Sequence, residues 1–238
     1  MSSQLSPQRY ARFGGALYLA IIAAGLFAEV FVRDRLIVAD ATATANNITA
    51  HALLFRIGIA ADLSTYVFAI PLTVILYALL KPVDSNLALL MLFFNLVQDA
   101  IGGLNALNGY RPLQLLGGAT YLDVFTPGQL HAMALLSLKA HSVGFGIALV
   151  FFGFSCLVLG YLVFRSGFLP KALGVLMAIA GACYLVNSYA LILSPGLASI
   201  LFPTILMPAL VGELSLALWL TVKGVNVPKW NEKASARP

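Results

Sequence analysis

Residues 172–212 of this chain contain no aspartate, glutamate, lysine, arginine or histidine. Such a stretch is typical of a chain that crosses lipid, where each helical span needs about 20 mainly apolar residues. The stretch is too long for one span, and Ser194-Pro195-Gly196 interrupts it with turn-forming residues. It therefore predicts two membrane helices, at about Ala172–Leu193 and Ile200–Val222.

Four further apolar runs of similar length precede this stretch. Hydrophobic residues make up 61% of the chain and charged residues only 10%, whereas an average soluble domain carries about 25% charged residues. The sequence therefore predicts an all-α, polytopic membrane helix bundle of about six transmembrane helices, with the lipid bilayer as its partner. The four runs are Phe13–Val32, Leu53–Leu80, Leu87–Asn108 and Val143–Phe164.

The polar segments at the two ends of the chain suggest three parts. We expect a cytoplasmic N-terminus at residues 1–12 and a six-helix transmembrane domain at residues 13–223. Residues 224–238 are polar, and we expect them to form a disordered cytoplasmic tail.

Two connections within the transmembrane domain are longer than the others. Residues 33–52 predict a helix that leads into the second span. Residues 109–142 contain Thr126-Pro127, a favourable helix start, so a helix is expected to run from Pro127 into the fourth span. A re-entrant or interfacial helix in this second connection stays open as an alternative.

Basic residues indicate the orientation of the chain in the membrane. With six spans, both termini and two short connections share one side, which holds nine of the fourteen basic residues. The rule that basic residues stay inside therefore predicts that both termini are cytoplasmic. The nine are Arg9, Arg12, Lys81, Arg165, Lys171, Lys223, Lys229, Lys233 and Arg237; the other five are Arg33, Arg35, Arg56, Arg111 and Lys139.

Five ionisable residues lie inside the predicted spans, where charged side chains are costly and usually face a partner or a cavity. A rise of about 1.5 Å per residue from the cytoplasmic ends places all five at or beyond the midplane. Because the cytoplasmic halves of the spans are largely apolar, this asymmetry predicts a polar cavity open to the outer side. The five are Glu29, Arg56, Asp62, Asp99 and Glu213.

The third predicted span carries polar residues along one helical face. Their spacings of three or one residues place them on the same side of a helix. Since lipid does not favour amides or carboxylates, this face is expected to point inward. It predicts either a ligand-lined cavity or a hydrogen-bonded network that only holds the bundle together. The face consists of Asn95, Gln98, Asp99, Gly102, Asn105 and Asn108.

Glu213 has few polar neighbours on its own helix, so its partner must lie on another one. Asp99 lies on the most polar face available, and two carboxyl groups lower their cost by sharing water and hydrogen bonds. We predict that Asp99 and Glu213 face one cavity with Asn95, Gln98, Glu29 and Asn187. The complete set of candidate ligand-binding residues is Glu29, Asp62, Asn95, Gln98, Asp99, Asn105, Asn187 and Glu213.

Glu29 also has a structural interpretation. Arg56 lies at a similar depth on the next predicted helix, and each of these residues is expensive alone in lipid. The sequence therefore favours a structural ion pair between Glu29 and Arg56.

Metal, cofactor and nucleic-acid chemistry find no support. His51, His131 and His141 match no metal-binding spacing, and motifs for phosphate binding, dinucleotide binding and a nucleophile elbow are absent from the sequence. We therefore expect no metal and no cofactor. The net charge of +5 comes from residues near lipid headgroups, so no nucleic-acid partner is expected.

Four stretches of the chain resemble a family of prokaryotic membrane proteins called domain of unknown function 4386. The resemblance extends from about Arg9 to Asn226 and implies a prokaryotic inner-membrane protein. It brings no activity and no catalytic residue with it. The four stretches are Ala11–Tyr18, Leu26–Glu29, Phe164–Pro170 and Glu213–Leu220.

Three classes of function are compatible with this pattern. The first is binding or transport of a small polar or amphipathic molecule, including a lipid, admitted from the outer side. The second is an intramembrane enzyme that uses Asp99, Glu213 or Asp62 as an acid or base. The third is a structural or accessory subunit without a ligand. The sequence leaves the oligomeric state open.

The predicted orientation can be tested with reporter fusions. A reporter at the C-terminal tail should be active in the cytoplasm, and a reporter inserted at residues 115–120 should be active on the outer side. A C-terminal reporter that is active outside would contradict the prediction.

Overall fold

The computed structural model describes residues 6–236. This part of the chain forms helices and no β-strand, and six of its helices are long and apolar enough to cross a membrane. The predicted fold class, an all-α membrane bundle with six transmembrane helices, is confirmed. The first five residues of the predicted N-terminal segment and the last two of the tail lie outside the described residues.

The first span is a composite of three helical segments. It starts as α1 (Pro7–Leu26), continues through a π-helical stretch (Phe27–Arg33) and ends with the single turn of α2 (Asp34–Leu36). The short α3 (Ala41–Ala50) follows. The remaining spans are α4 (Ala52–Leu80), α5 (Ser85–Leu115), α6 (Pro127–Ser166), α7 (Lys171–Leu193) and α9 (Met207–Val222), with α8 (Pro195–Leu201) between the last two.

The start of α6 is fixed by its capping residues. Thr126 Oγ1 accepts a hydrogen bond from the Gln129 backbone N–H at 3.3 Å, and Gln129 Oε1 accepts one from the Thr126 backbone N–H at 2.8 Å. This reciprocal pair caps the first turn, and Pro127 suits the first helical position. The predicted continuous helix from Pro127 into the fourth span is confirmed. The segment between α5 and α6 holds only a 3₁₀ turn, Thr120–Leu122.

The sixth span begins later than the sequence predicts. Its expected start was Ile200, whereas α9 begins at Met207 after a 3₁₀ turn at Thr204–Leu206. Proline explains the difference, because Pro203 has no backbone N–H and cannot continue a helix. Pro208 instead lies in the first turn of α9, where proline is well tolerated.

The prediction of a disordered tail is wrong for residues 227–235, which form α10 (Val227–Ser235). Asn226 Oδ1 caps this helix by accepting a hydrogen bond from the Lys229 backbone N–H at 3.2 Å. Trp230 Nε1 donates to the carbonyl oxygen of Leu79 at 2.9 Å and so fastens α10 to the end of α4. The polar composition of the tail predicts disorder because composition does not show that one side chain, Trp230, anchors the segment.

The chain divides into two compact units, and several long helices contribute residues to both. The first unit contains the described residues up to Ala20, Phe68–Asp99 and the residues from Gly146 onward. In this unit α6 and α7 approach closely at Gly160 and Gly174. A Cβ added to Gly160 would lie only 2.6 Å from the Gly174 carbonyl oxygen, so the contact leaves no room for a side chain there. Small residues allow such close packing between membrane helices, where dispersion contacts hold the bundle together.

The second unit contains Ile21–Val67 and Ala100–Phe145. Its apolar core consists of Val32, Leu36, Ile48, Phe55 and Leu138. The expected helix before the second span is present as α3, which contributes Ile48 to this core. His51 alone separates the end of α3 from the start of α4.

The glycine contact in the first unit gives a testable prediction. Gly160→Ala should destabilise the protein by about 1–3 kcal/mol, because the new methyl group overpacks against the Gly174 backbone. Gly25→Ala is a matched control on α1, since a Cβ there would meet nothing within 4 Å. Thermal unfolding in detergent should show a lower midpoint for Gly160→Ala only. Equal midpoints for the two variants would contradict the packing account.

Candidate functional site

Glu213 is a buried carboxyl group whose two oxygens both have partners. It lies on α9 and is 8% exposed. Its Oε2 accepts a hydrogen bond from the Tyr18 hydroxyl at 3.0 Å, and its Oε1 accepts one from the Tyr184 hydroxyl. Since these tyrosines come from α1 and α7, the carboxyl group ties three helices of the first unit together.

Asn95 is likewise engaged by a neighbouring helix. Its Nδ2 donates to Ser155 Oγ at 2.6 Å, and Ser155 Oγ donates to the Met91 carbonyl oxygen at 3.1 Å. Both side chains are buried. The contact joins α5 to α6 and gives a partner to the Asn95 amide nitrogen and to the Ser155 hydroxyl.

Asp99 differs from both of these residues. It is 6% exposed, and neither carboxylate oxygen has a hydrogen-bond partner among the described residues. The hydroxyl of Ser188 on α7, which is fully buried, also has no partner there. More than about 90% of buried polar groups in proteins are paired, so each of these two groups is exceptional.

The register of the helices places Asp99 and Ser188 at one level of the first unit. Asp99 lies one turn beyond Asn95, and Asn95 contacts Ser155 on the antiparallel α6, so Asp99 is level with about Phe151. On α7, Leu185 lies against Gly153 and Leu191 lies against Gly146. Residue 151 of α6 lies between these two glycines, so the same level on α7 falls between Leu185 and Leu191. Asn187 and Ser188 lie in this interval of α7 and are therefore at about the level of Asp99.

Two further side chains near this level make no hydrogen bond within the described part of the chain. Gln98 is adjacent to Asp99 and partly exposed, while Asn187 is 8% exposed. The first unit therefore holds four polar side chains at similar depth that find no hydrogen-bond partner within residues 6–236: Gln98, Asp99, Asn187 and Ser188.

The second unit contains a separate charged cluster. Arg33 Nε lies 2.6 Å from Glu29 Oε2, and the guanidinium also bonds both oxygens of Asp62, with Nη2 to Oδ1 at 3.4 Å. Arg33 belongs to the π-helical stretch, one turn beyond Glu29. A single cation thus holds two carboxylates from consecutive spans.

The predicted ion pair between Glu29 and Arg56 is replaced by this arrangement. Glu29 takes its cation from its own helix, and Arg56 belongs to neither of the ion pairs within residues 6–236. Depth along the helix suggested Arg56, but depth does not specify which way a side chain points. Arg56 is exposed and needs no partner in the protein.

A small cavity lies beside the charged cluster in the second unit. Its volume is about 20 Å³, which is room for about one water molecule. Arg33, Asp62 and His141 supply its polar lining. Asn105 is engaged nearby, since its Nδ2 donates to the His141 carbonyl oxygen at 2.8 Å and its Oδ1 accepts from Asn108 Nδ2 at 3.0 Å.

The sequence-predicted site residues thus fall into two separate groups. No hydrogen bond joins Asp99 to Glu213, and Glu213 finds its partners in tyrosines rather than on the polar face of α5. Sequence reasoning missed Tyr18, Tyr184, Arg33 and Ser188; the spacing of Arg33 four residues after Glu29 was the one available signal. The first unit holds Asn95, Gln98, Asp99, Asn187 and Glu213, and the second holds Glu29, Asp62 and Asn105.

Six apolar helices with carboxyl groups held at membrane depth define a multi-pass integral membrane protein. The model of the family described as domain of unknown function 4386 matches residues 13–224, and the chain belongs to this family. It is 30% identical over 155 residues to an uncharacterized protein of Archaeoglobus fulgidus, a match that covers 65% of this chain and 76% of the relative. No solved structure matches the chain.

Proposed function

We propose that this protein binds a small polar or amphipathic molecule that carries a cationic group, and that Asp99 is the residue that receives this group. The observation that carries the proposal is the unpaired carboxylate of Asp99, buried at membrane depth. We further propose that the protein transports this molecule, which requires a second conformation of the protein.

The choice of a cationic ligand follows from the surroundings of Asp99. The residue lies 14 positions beyond Ser85, where α5 begins, which corresponds to about 21 Å along the helix. The lysines and arginines described in the first unit lie near or beyond the ends of its spans. Because a buried carboxylate is costly unless a cation accompanies it, a cationic ligand would supply what the protein does not.

The neighbouring side chains suit the rest of a polar ligand. Gln98 and Asn187 each offer amide donors and a carbonyl acceptor, and the Ser188 hydroxyl offers both functions. All three lie at a similar depth, and none of them makes a hydrogen bond to another described residue. They would orient a small molecule whose cationic end meets Asp99.

Binding is favoured over acid–base catalysis by the way the carboxyl groups are used. An acid–base site needs titratable groups that converge on one reacting atom. Both oxygens of Glu213 are instead occupied by tyrosine hydroxyls, and the Asp62 carboxylate is held by Arg33. Asp99 is therefore the one member of this set that is available to a ligand.

The orientation of the site is part of the same proposal. We place both termini in the cytoplasm of a prokaryotic cell, which puts Asp99 in the outer half of the membrane. The ligand would then enter from the outer side. Pro71 inside α4 offers a hinge for the conformational change that transport needs.

A binding experiment tests the proposal with a matched pair of variants. Purified protein in nanodiscs is titrated with methylammonium, ethanolamine, choline and putrescine, and the thermal shift is recorded. At least one amine should stabilise the wild type, and Asp99→Asn should weaken its binding by more than about a hundredfold, because removal of one partner of a buried charge pair costs about 3–5 kcal/mol.

Asp84→Asn is the control. It makes the same chemical change close by in the chain, but Asp84 caps the start of α5, and asparagine caps a helix equally well. It should leave amine binding unchanged. If no amine stabilises the wild type, or if Asp99→Asn binds as tightly as Asp84→Asn, the proposal is wrong.

A further inference from the structure

An open groove lies at the opposite end of the first unit from the polar residues of α5. Its volume is about 370 Å³, within the range of sites that hold small ligands or headgroups. It is formed by the connection between α6 and α7 and by the segment that follows α9. The backbone N–H of Asn226 donates to the Phe168 carbonyl oxygen at 3.1 Å and joins the two segments. The lining residues are Gly167–Pro170, Trp219 and Lys223–Asn226.

Two glycines shape the walls of this groove. Gly167 and Gly224 have φ angles of 75° and 69°, a left-handed conformation that side chains other than glycine rarely adopt. Each glycine follows the last turn of a span, α6 or α9, and turns the chain sharply away from the helix. The groove is therefore built where two spans end, at the level of the membrane–water interface.

The chemistry of the groove suits an anionic group that lies in this interface. Trp219 lies in the last turn of α9 and is 37% exposed, as is typical of side chains that lie at the headgroup level. Lys223 follows four residues later, on the same face of the helix. Its exposed side chain is the cation that lines the groove. Arg165 and Lys171 precede and follow the connection between α6 and α7 in the sequence.

We propose that this groove binds the phosphate headgroup of an anionic phospholipid, with Lys223 as the phosphate ligand and Trp219 against the upper acyl chain. Charge complementarity supports this occupant. The described residues at this end of the first unit carry eight basic side chains and two acidic ones, Asp84 and Glu232. The eight are Arg9, Arg12, Lys81, Arg165, Lys171, Lys223, Lys229 and Lys233.

The amphipathic α10 gives independent support for a lipid surface at this end. Trp230 anchors the helix to Leu79, and Lys229 and Lys233 lie on the same short helix. A short helix with aromatic and basic residues that is held against the end of a span is suited to the headgroup region. The groove lies directly before α10 in the chain, because Asn226 both lines the groove and caps the helix.

The test uses delipidated full-length protein and bicelles of stated composition. Phosphatidylglycerol is titrated into phosphatidylcholine of the same chain length, and the thermal unfolding midpoint is followed. Phosphatidylglycerol should raise the midpoint of the wild type. Lys223→Gln should raise the phosphatidylglycerol fraction needed for half of this effect about fivefold, the contribution of one basic residue at a membrane surface.

Two variants and one competitor sharpen the result. Lys223→Arg should retain the wild-type response, because the positive charge stays in the groove. Lys139→Gln removes an exposed lysine that lies in the second unit and does not line the groove, so it should also retain the wild-type response. The proposal is overturned if Lys223→Gln responds like Lys139→Gln, or if phosphatidylcholine alone gives the full effect. It is also overturned if inorganic phosphate reproduces the stabilisation, since the site would then take a free anion.

Discussion

Every polar side chain inside a membrane helix must find a partner within the protein or a ligand, because the lipid chains offer none. Glu213 meets this constraint through two tyrosine hydroxyls, and Asn95 meets it through Ser155. Arg33 meets it by holding two carboxylates from consecutive spans. These contacts join segments that are distant in sequence, so the groups that are costliest in lipid also specify which helices pack together.

Asp99 is the exception to this pattern, and the proposed function rests on it. Glycines let α6 and α7 approach closely, and the Asn95 contact holds α5 against α6. The Asp99 carboxylate, one turn further along α5, is buried and has no hydrogen-bond partner in the part of the chain that the structure describes. An apolar residue such as leucine at this position would avoid the cost of an unpaired buried carboxyl group. Such a costly group is typical of a binding site in which the ligand supplies the missing contact.

Much of the fold follows from hydropathy, because length and apolar composition are sufficient to locate a membrane span. The six spans, the polar face of α5 and the long α6 from Pro127 are predictable in this way. The partners of the polar residues are not, because depth along a helix does not fix the rotation of its neighbour. Glu213 therefore needed the structure to reveal Tyr18 and Tyr184, whose hydroxyls are hidden in residues that a hydropathy pattern counts as apolar.

The central claim is that Glu213 is a completed structural contact and that Asp99 is not. The most direct measurement compares the free energy of unfolding of Glu213→Ala and Asp99→Ala in the same detergent without ligand. Glu213→Ala should destabilise the protein by about 2–4 kcal/mol, because it strands two tyrosine hydroxyls. Asp99→Ala should be neutral or stabilising, because it removes an unpaired carboxylate. Equal destabilisation by the two variants would contradict the account.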